Sequence, residues 1–98
     1  MKIIQDKHPL LLADREAPLG WVYLKIYKDK SFEFISAGLR DKTIYSGTYK
    51  LNNYTIYFNY KDSIPKAGKK AIITNRFVSY IGGIYPESLE IKLNKLTK

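Results

Sequence analysis

The segment GWVYLKIYKDKSFEF, residues 20–34, is the strongest indication of fold in this sequence. Its first half alternates aliphatic side chains with aromatic or basic ones, and a period of two is typical of a β-strand. Asp29 then supplies turn chemistry, and Phe32 and Phe34 flank Glu33 in the alternation of a second strand. Residues 20–34 therefore predict an antiparallel hairpin.

The first strand of this hairpin carries hydrophobic side chains on both faces. A strand that covers a single core normally has one polar face. The aliphatic face, which we assign to the core, comprises Val22, Leu24 and Ile26. The opposite face, called the aromatic face below, comprises Trp21, Tyr23, Lys25 and Tyr27.

The aromatic face is predicted to lie beneath another element. The N-terminal segment HPLLLAD, residues 8–14, is the first candidate because its leucines also need burial. A partner chain and a ligand are the alternatives. If nothing within the chain covers these side chains, the aromatic face is the predicted binding site for a protein partner or a small apolar ligand.

Short runs rich in Tyr, Ile, Thr, Phe and Val recur along the chain, and turn residues separate them at roughly ten-residue intervals. The connections are too short for helical crossovers, so neighbouring strands should pair in antiparallel fashion. The predicted strands are 8–14, 21–27, 31–36, 43–51, 54–60, 71–75, 77–81 and 85–93, of which 71–75 and 77–81 form either two strands or one bent strand.

The predicted fold class is all-β, in one domain over residues 1–98. An antiparallel meander of about six to eight strands would close into a small barrel or a two-layer sandwich, because open sheet edges promote aggregation. Gly47 predicts a bulge or bend, Gly82 and Gly83 predict a two-residue hairpin turn, and helical turns are expected only near 14–19 and 62–68. The predicted core comprises Val22, Leu24, Ile26, Phe32, Phe34, Ile56, Phe58, Ile73, Val78, Leu89 and Ile91.

The charge is strongly basic, with 17 Lys and Arg against 9 Asp and Glu and a net charge of +8. Scattered lysines are typical of the outer faces of a soluble β protein, and they also suit a nucleic-acid or anionic-surface binder. The densest cluster, PKAGKK at residues 65–70, lies in the longest predicted loop, which we expect to be flexible. Lys66, Lys69 and Lys70 are the candidate anion-binding residues, and a solvated loop is the alternative.

The sequence argues against catalysis and predicts neither a metal nor a cofactor. Cysteine is absent and His8 is the only histidine, so the usual zinc ligands are missing. No G-x-S-x-G or Walker-type glycine motif occurs. Asp14 and Glu16, on either side of Arg15, are the one acidic pair suited to acid–base chemistry, with a loop salt bridge as the alternative. No apolar run approaches the ~20 residues of a membrane helix.

Nucleic-acid binding is an alternative function that the aromatic and basic composition supports. Bases stack on exposed rings, and lysines attract phosphates, in proteins that bind single strands. Besides the aromatic face, the candidate rings are Tyr45 and Tyr49 on one strand face and Tyr54, Phe58 and Tyr60 on another. A five-stranded OB-like architecture would present them in this way.

The hairpin GWVYLKIYKDKSFEF followed by YSGTYKLNNYTIYF, residues 45–58, resembles lipocalin-like β domains of small exported bacterial lipoproteins. The shared pattern is a Gly and Trp at the start of a strand, here Gly20 and Trp21, then a polar turn, an aromatic strand and a G-x-Y strand, here Gly47 and Tyr49. The resemblance covers about residues 20–60. It implies a non-enzymatic domain in an extracytoplasmic location, periplasmic or at the cell surface, rather than a cytoplasmic one. It assigns no binding residue.

Overall fold

The computed structural model describes residues 8–17, 20–38, 41–84 and 86–96. Predictions that fall on 18–19 and 85 lie outside the described residues. No helix in the described part is long and apolar enough to cross a membrane. The strands are β1 (Pro9–Ala17), β2 (Gly20–Tyr27), β3 (Ser31–Ala37), β4 (Lys42–Asn52), β5 (Thr55–Tyr60), β6 (Lys70–Ile73), β7 (Phe77–Ile81) and β8 (Glu87–Asn94).

These eight strands form a closed antiparallel barrel in sequence order. Each strand pairs with the next along the chain, and β1 also pairs with β8, with Ala13 opposite Ile91. The all-β meander is therefore confirmed, in its barrel form rather than as a sandwich. Segments 71–75 and 77–81 contain two strands joined by a turn, in which the Phe77 amide donates to Thr74 Oγ1 at 3.0 Å.

Alternation along each strand decides which side chains fill the barrel. The aliphatic face of β2 points inward and is almost fully buried, as predicted. Ring contacts fill the centre: Phe32 and Phe58 have centroids 4.7 Å apart, and Phe58 stacks on Tyr80 at 5.4 Å. All predicted core residues are buried except Ile91, which is partly buried against the core. Side chains, rather than a ligand cavity, therefore occupy the interior.

The first strand differs from its prediction in both length and position. The breakers Pro18 and Gly20 predict that residues 15–20 connect the strands at 8–14 and 21–27, but β1 continues to Ala17 because Glu16 pairs with Trp21 on β2. The helical turn expected at 14–19 is therefore wrong for the residues described. β1 lies beside β2 in the sheet, not over it, so the prediction that residues 8–14 cover the aromatic face is also wrong.

Two glycine predictions are also corrected. Residues 82–86, not a two-residue turn, connect β7 to β8. Gly47 forms no bulge, because it pairs in continuous register with Phe32 on β3 and Tyr60 on β5. A Cβ there would lie 2.0 Å from the Asn59 carbonyl oxygen. Glycine instead permits close approach of the β5 backbone, and the rings of Phe32 and Tyr60 meet beside it at 5.1 Å.

Replacement of this glycine should therefore destabilise the barrel. We expect Gly47→Ala to lower the free energy of unfolding by about 2–3 kcal/mol, because the added methyl forces the β4 and β5 backbones apart. Chemical denaturation measures the loss. Gly38→Ala is the matched control, since a Cβ at Gly38 makes only ordinary contacts. Equal stability of the two variants would contradict the close-approach argument.

The buried tyrosines predict a loss of stability at alkaline pH. Burial raises the pKa of Tyr80 well above its ordinary value of 10.0, and Tyr60 and Glu87 add to the shift. Burial, then Glu33, raises the pKa of Tyr27 to about 12. Because the folded pKa values exceed the unfolded ones, stability is complete below pH ~10 and falls as the pH rises further. Between its unfolded and folded pKa values, each such tyrosine lowers the free energy of unfolding by about 1.4 kcal/mol per pH unit.

Tyr80→Phe tests this expectation directly. The Tyr80 hydroxyl is buried without a hydrogen-bond partner among the described residues. Its removal should leave stability at neutral pH unchanged or higher, and should make the alkaline loss less steep in thermal unfolding. Tyr54→Phe, at an exposed turn, is the control. An alkaline slope that is identical in wild type and Tyr80→Phe would refute the assignment.

Candidate binding surfaces

The structure places the aromatic face of β2 on the outside of the barrel, but it is only partly open. Trp21 is 44% exposed, whereas Tyr23 and Lys25 are half-buried. Tyr27 is only 9% exposed and donates its hydroxyl hydrogen to Glu33 Oε1 at 3.2 Å. Trp21 is therefore the member of this face that offers most surface to a partner. The binding role of the four residues stays a prediction.

Carboxylates lie beside the aromatic face on the neighbouring strands. Glu16 is opposite Trp21 and Asp14 is opposite Tyr23 on β1, while Glu33 is opposite Lys25 on β3. Directly opposite residues in an antiparallel pair project to the same side of the sheet. An anion approaching Trp21 would therefore meet negative charge, so this face suits an apolar or mixed-charge partner better than a phosphate backbone.

A second surface forms on the other side of the barrel, where two loops meet. Residues 61–69 join β5 to β6, and residues 82–86 join β7 to β8. Between them lies an open groove of about 930 Å³, called the lysine groove below. Its lining includes no carboxylate among the described residues, but all three predicted anion-binding residues and four large apolar side chains. These are Lys66, Lys69, Lys70, Tyr57, Ile64, Ile81 and Ile84.

Hydrogen bonds hold the backbone of the lysine-bearing loop. The Ile84 amide donates to the Lys66 carbonyl oxygen at 2.8 Å, which ties the two loops together. The Gly68 amide donates to the Pro65 carbonyl oxygen at 3.0 Å, and Gly68 in turn accepts from Tyr60 Oη at 3.0 Å. The expectation of a flexible loop is therefore corrected to a folded, hydrogen-bonded one. The helical turn expected at 62–68 is wrong, because this single hydrogen-bonded turn from Pro65 to Gly68 is not helical.

Two glycines allow the loops to approach so closely. Gly68 has φ of +101°, in a region that side chains rarely adopt, and it packs against Gly83. A Cβ on Gly83 would lie 2.2 Å from the Ala67 carbonyl oxygen. The lysines thus project from a scaffold in which Ala67 and Gly68 are buried.

The outer face next to the lysine groove combines a ring with two ammonium groups. Tyr57 on β5 pairs with Lys50 on β4 and with Lys70 on β6. The Lys70 Nζ lies 5.8 Å from the Tyr57 ring centroid, within cation–π range. Tyr57 is exposed, so this row presents an open aromatic surface between positive charges.

The two predicted surfaces are not brought together. β2 carries the aromatic face and β6 borders the lysine groove, and three strands separate them in either direction around the barrel. Ile64, Ile81 and Ile84, which line the lysine groove, are not predicted from the sequence as parts of a surface. The available signal was an isolated isoleucine among turn residues, as in Ser-Ile-Pro and Gly-Gly-Ile.

Asp14 and Glu16, the acidic pair considered for acid–base chemistry, line an open groove on the outside of the barrel together with Glu90 and Lys92, where Lys92 Nζ lies 3.8 Å from Asp14 Oδ1. Asp14 and Glu16 project outward, whereas Arg15 between them forms an ion pair with Glu87. Within 8–17, 20–38, 41–84 and 86–96, no three His, Cys, Asp or Glu side chains cluster as metal ligands would. Of the rings proposed for nucleic acid, Tyr49 and Phe58 are buried in the core, Tyr45 and Tyr60 pack against it, and Tyr54 is exposed at a turn.

Comparison of the chain with known protein families, with curated proteins and with solved structures finds no match. The lipocalin-like resemblance therefore stays a prediction. What the surfaces can bind is argued below from their residues alone.

The Tyr60 hydroxyl should control how firmly the lysine loop is held. We expect Tyr60→Phe to weaken stability by about 1 kcal/mol, since it removes the bond to the Gly68 carbonyl. Hydrogen exchange of the Gly68 and Ile84 amides, both in loops, should then accelerate more than exchange of the amides within the strands. Tyr57→Phe is the control. Unchanged exchange at both amides would show that the hydroxyl does not anchor the loop.

Proposed function

We propose that this protein is a non-catalytic binding domain whose main binding surface is the lysine groove. The observation that carries the proposal is the composition of its lining: in the part of the chain that the structure describes, it has three lysines and exposed isoleucines and no carboxylate. Such a surface attracts a negatively charged partner and offers it apolar contact. The ligand or partner is accordingly anionic with an apolar portion.

Charge and burial have separate roles in this proposal. The net charge of +8 favours the approach of anions, but exposed charges are screened beyond about 8 Å at physiological salt. Lys66, Lys69 and Lys70 would therefore act at short range. Ile64 and Ile84 would lose water-exposed apolar surface on binding, at about 25 cal/mol per Å².

The aromatic face remains a second proposed surface, centred on Trp21. Its neighbouring carboxylates favour a protein partner or a small apolar ligand of no net negative charge. Single tryptophans at the centre of interfaces often contribute a large share of binding energy. Because Tyr27 is nearly covered by the protein itself, a partner would contact chiefly Trp21, Tyr23 and Lys25.

The resemblance to lipocalin-like domains supports a non-enzymatic role and an extracytoplasmic location, both as part of this proposal. Eight-stranded barrels can hold a small ligand inside. Here rings occupy the interior, with Phe34 and Tyr80 centroids 5.1 Å apart. We therefore assign binding to the outside of the barrel.

Binding of single-stranded nucleic acid is the alternative, and the Lys50–Tyr57–Lys70 row is the observation that favours it. A base could stack on Tyr57 while the lysines contact flanking phosphates. The eight-stranded barrel replaces the five-stranded OB-like architecture on which this alternative first rested. Titration of a labelled oligonucleotide at low and physiological salt tests it, and no binding at low salt would remove it.

An anionic apolar dye, anilinonaphthalene sulfonate, tests the lysine groove. We expect dye fluorescence to rise with wild-type protein, and the affinity to fall about tenfold in the double variant Lys69→Gln/Lys70→Gln. The estimate takes roughly 0.5–1 kcal/mol for each partly exposed charge contact. Fluorescence titration at physiological salt provides the measurement.

The control is Lys28→Gln/Lys95→Gln, which removes the same number of charges near the opposite end of the barrel. Lys28 lies in the β2–β3 turn and Lys95 follows β8, and both are exposed. This control should bind the dye as wild type does. Equal loss in the two double variants would mean that net charge, not the groove, attracts the dye, and the proposal would fail.

A further inference from the structure

We propose that the lysine groove docks the protein onto an anionic lipid bilayer, with Ile64 and Ile84 entering the interface between headgroups and acyl chains. The inference rests on the proposed function, because it names the partner of the same surface. It requires apolar side chains that stand out from the fold, positive charges beside them, and a backbone that presents both. All three features are present.

The two isoleucines are unusually exposed for their size. Ile84 is 77% exposed and Ile64 is 53% exposed. They belong to different loops, yet both line the lysine groove. Exposed apolar side chains that are grouped in this way mark interaction surfaces. Protruding side chains can enter a planar bilayer, whereas a small ligand is usually bound by side chains that line a deep pocket.

The loops require little ordering before they can dock. The bond from the Ile84 amide to the Lys66 carbonyl fixes the second loop to the first, and Gly68 packs on Gly83. Association loses free energy when loops must be immobilised. Here the free protein already holds both isoleucines on one hydrogen-bonded scaffold.

The kind of positive charge also favours a bilayer. Among the described residues, the basic side chains that line the groove are all lysines. Lysine acts as a point charge rather than as a bidentate fork for one carboxylate or phosphate. Point charges suit the spread negative charge of anionic headgroups. Asp62, the acidic residue of the same loop, does not line the groove.

The closed sheet argues against an acidic peptide as the occupant. Extended peptides commonly bind by adding a strand to an exposed sheet edge. β5, β6, β7 and β8 each have a neighbouring strand on both sides. The β5–β6 register ends at Tyr57, so the edge left beside the groove is at most the last three residues of β5, which is short for an added strand. A peptide would have chiefly side-chain contacts, whereas a bilayer needs no backbone pairing.

Sedimentation with vesicles tests the proposal. We expect wild-type protein to bind vesicles of equimolar phosphatidylcholine and phosphatidylserine, and not vesicles of phosphatidylcholine alone. Lys69→Gln/Lys70→Gln should reduce the partition coefficient by roughly tenfold or more. Ile64→Ser/Ile84→Ser should reduce it at least as strongly, because charge alone gives only surface adsorption.

Two controls separate docking from general electrostatics. Ile44→Ser removes an exposed isoleucine from β4, away from the groove, and Lys28→Gln/Lys95→Gln removes charge elsewhere. Both should bind vesicles as wild type does, and circular dichroism should show all variants folded. Binding that persists in Ile64→Ser/Ile84→Ser would overturn the proposed insertion.

Tryptophan fluorescence locates the docking side. Trp21 is the only tryptophan, but it begins β2 at the same end of the barrel as the loops that join β5 to β6 and β7 to β8, so the probes are placed in a Trp21→Phe background. In that background the emission of Ile84→Trp should shift to the blue when vesicles are added. Tyr54→Trp, in the exposed β4–β5 turn at the opposite end of the barrel, should not shift, and a blue shift of Tyr54→Trp instead would overturn the proposed docking side.

The outcomes also distinguish this inference from the proposed function. If the dye binds the groove but anionic vesicles do not bind the protein, the bilayer proposal is wrong and the binding groove stands. Binding of an acidic aromatic peptide under those conditions would identify a protein partner. If neither dye nor vesicles depend on Lys69 and Lys70, both proposals fail.

Discussion

The pairing of β1 with β8 is the constraint on which the rest of the structure depends. It closes the sheet, so that both edges of every strand have a neighbour. Closure divides each strand into inward and outward positions. Phe32, Phe58 and Tyr80 meet inside only because their strands curve around one axis. The same closure holds β6, a strand of four residues, between two neighbours and so supports the lysine groove.

Much of the fold is predictable from the sequence because strand alternation is a local property. Val22, Leu24 and Ile26 occupy every second position, and the structure buries all three. The full length of β1 was not predictable in this way. Arg15 and Glu16 are polar and precede a proline, so local chemistry favours a turn, and pairing with β2 overrides it.

Only the positive charges of the lysine groove were predictable from the sequence. Three lysines close together are visible in the sequence, but their apolar neighbours come from other segments. Ile84 joins them through a hydrogen bond to Lys66 that spans 18 positions of the chain, and Ile81 pairs with Lys70 across β6 and β7. Such contacts depend on tertiary structure. The aromatic face was predictable in its residues but not in its exposure. Alternation along β2 places Tyr27 on this face, yet other parts of the fold leave it only 9% exposed.

The contact between Gly68 and Gly83 makes the two loops interdependent under mutation. A side chain added at position 83 would collide with Ala67, so it could be accommodated only if residues 65–69 moved as well. Changes in one loop should therefore be strongly epistatic with changes in the other. The surface that they form would diversify by coordinated replacement of both loops, while single substitutions of the outward lysines and isoleucines remain structurally independent.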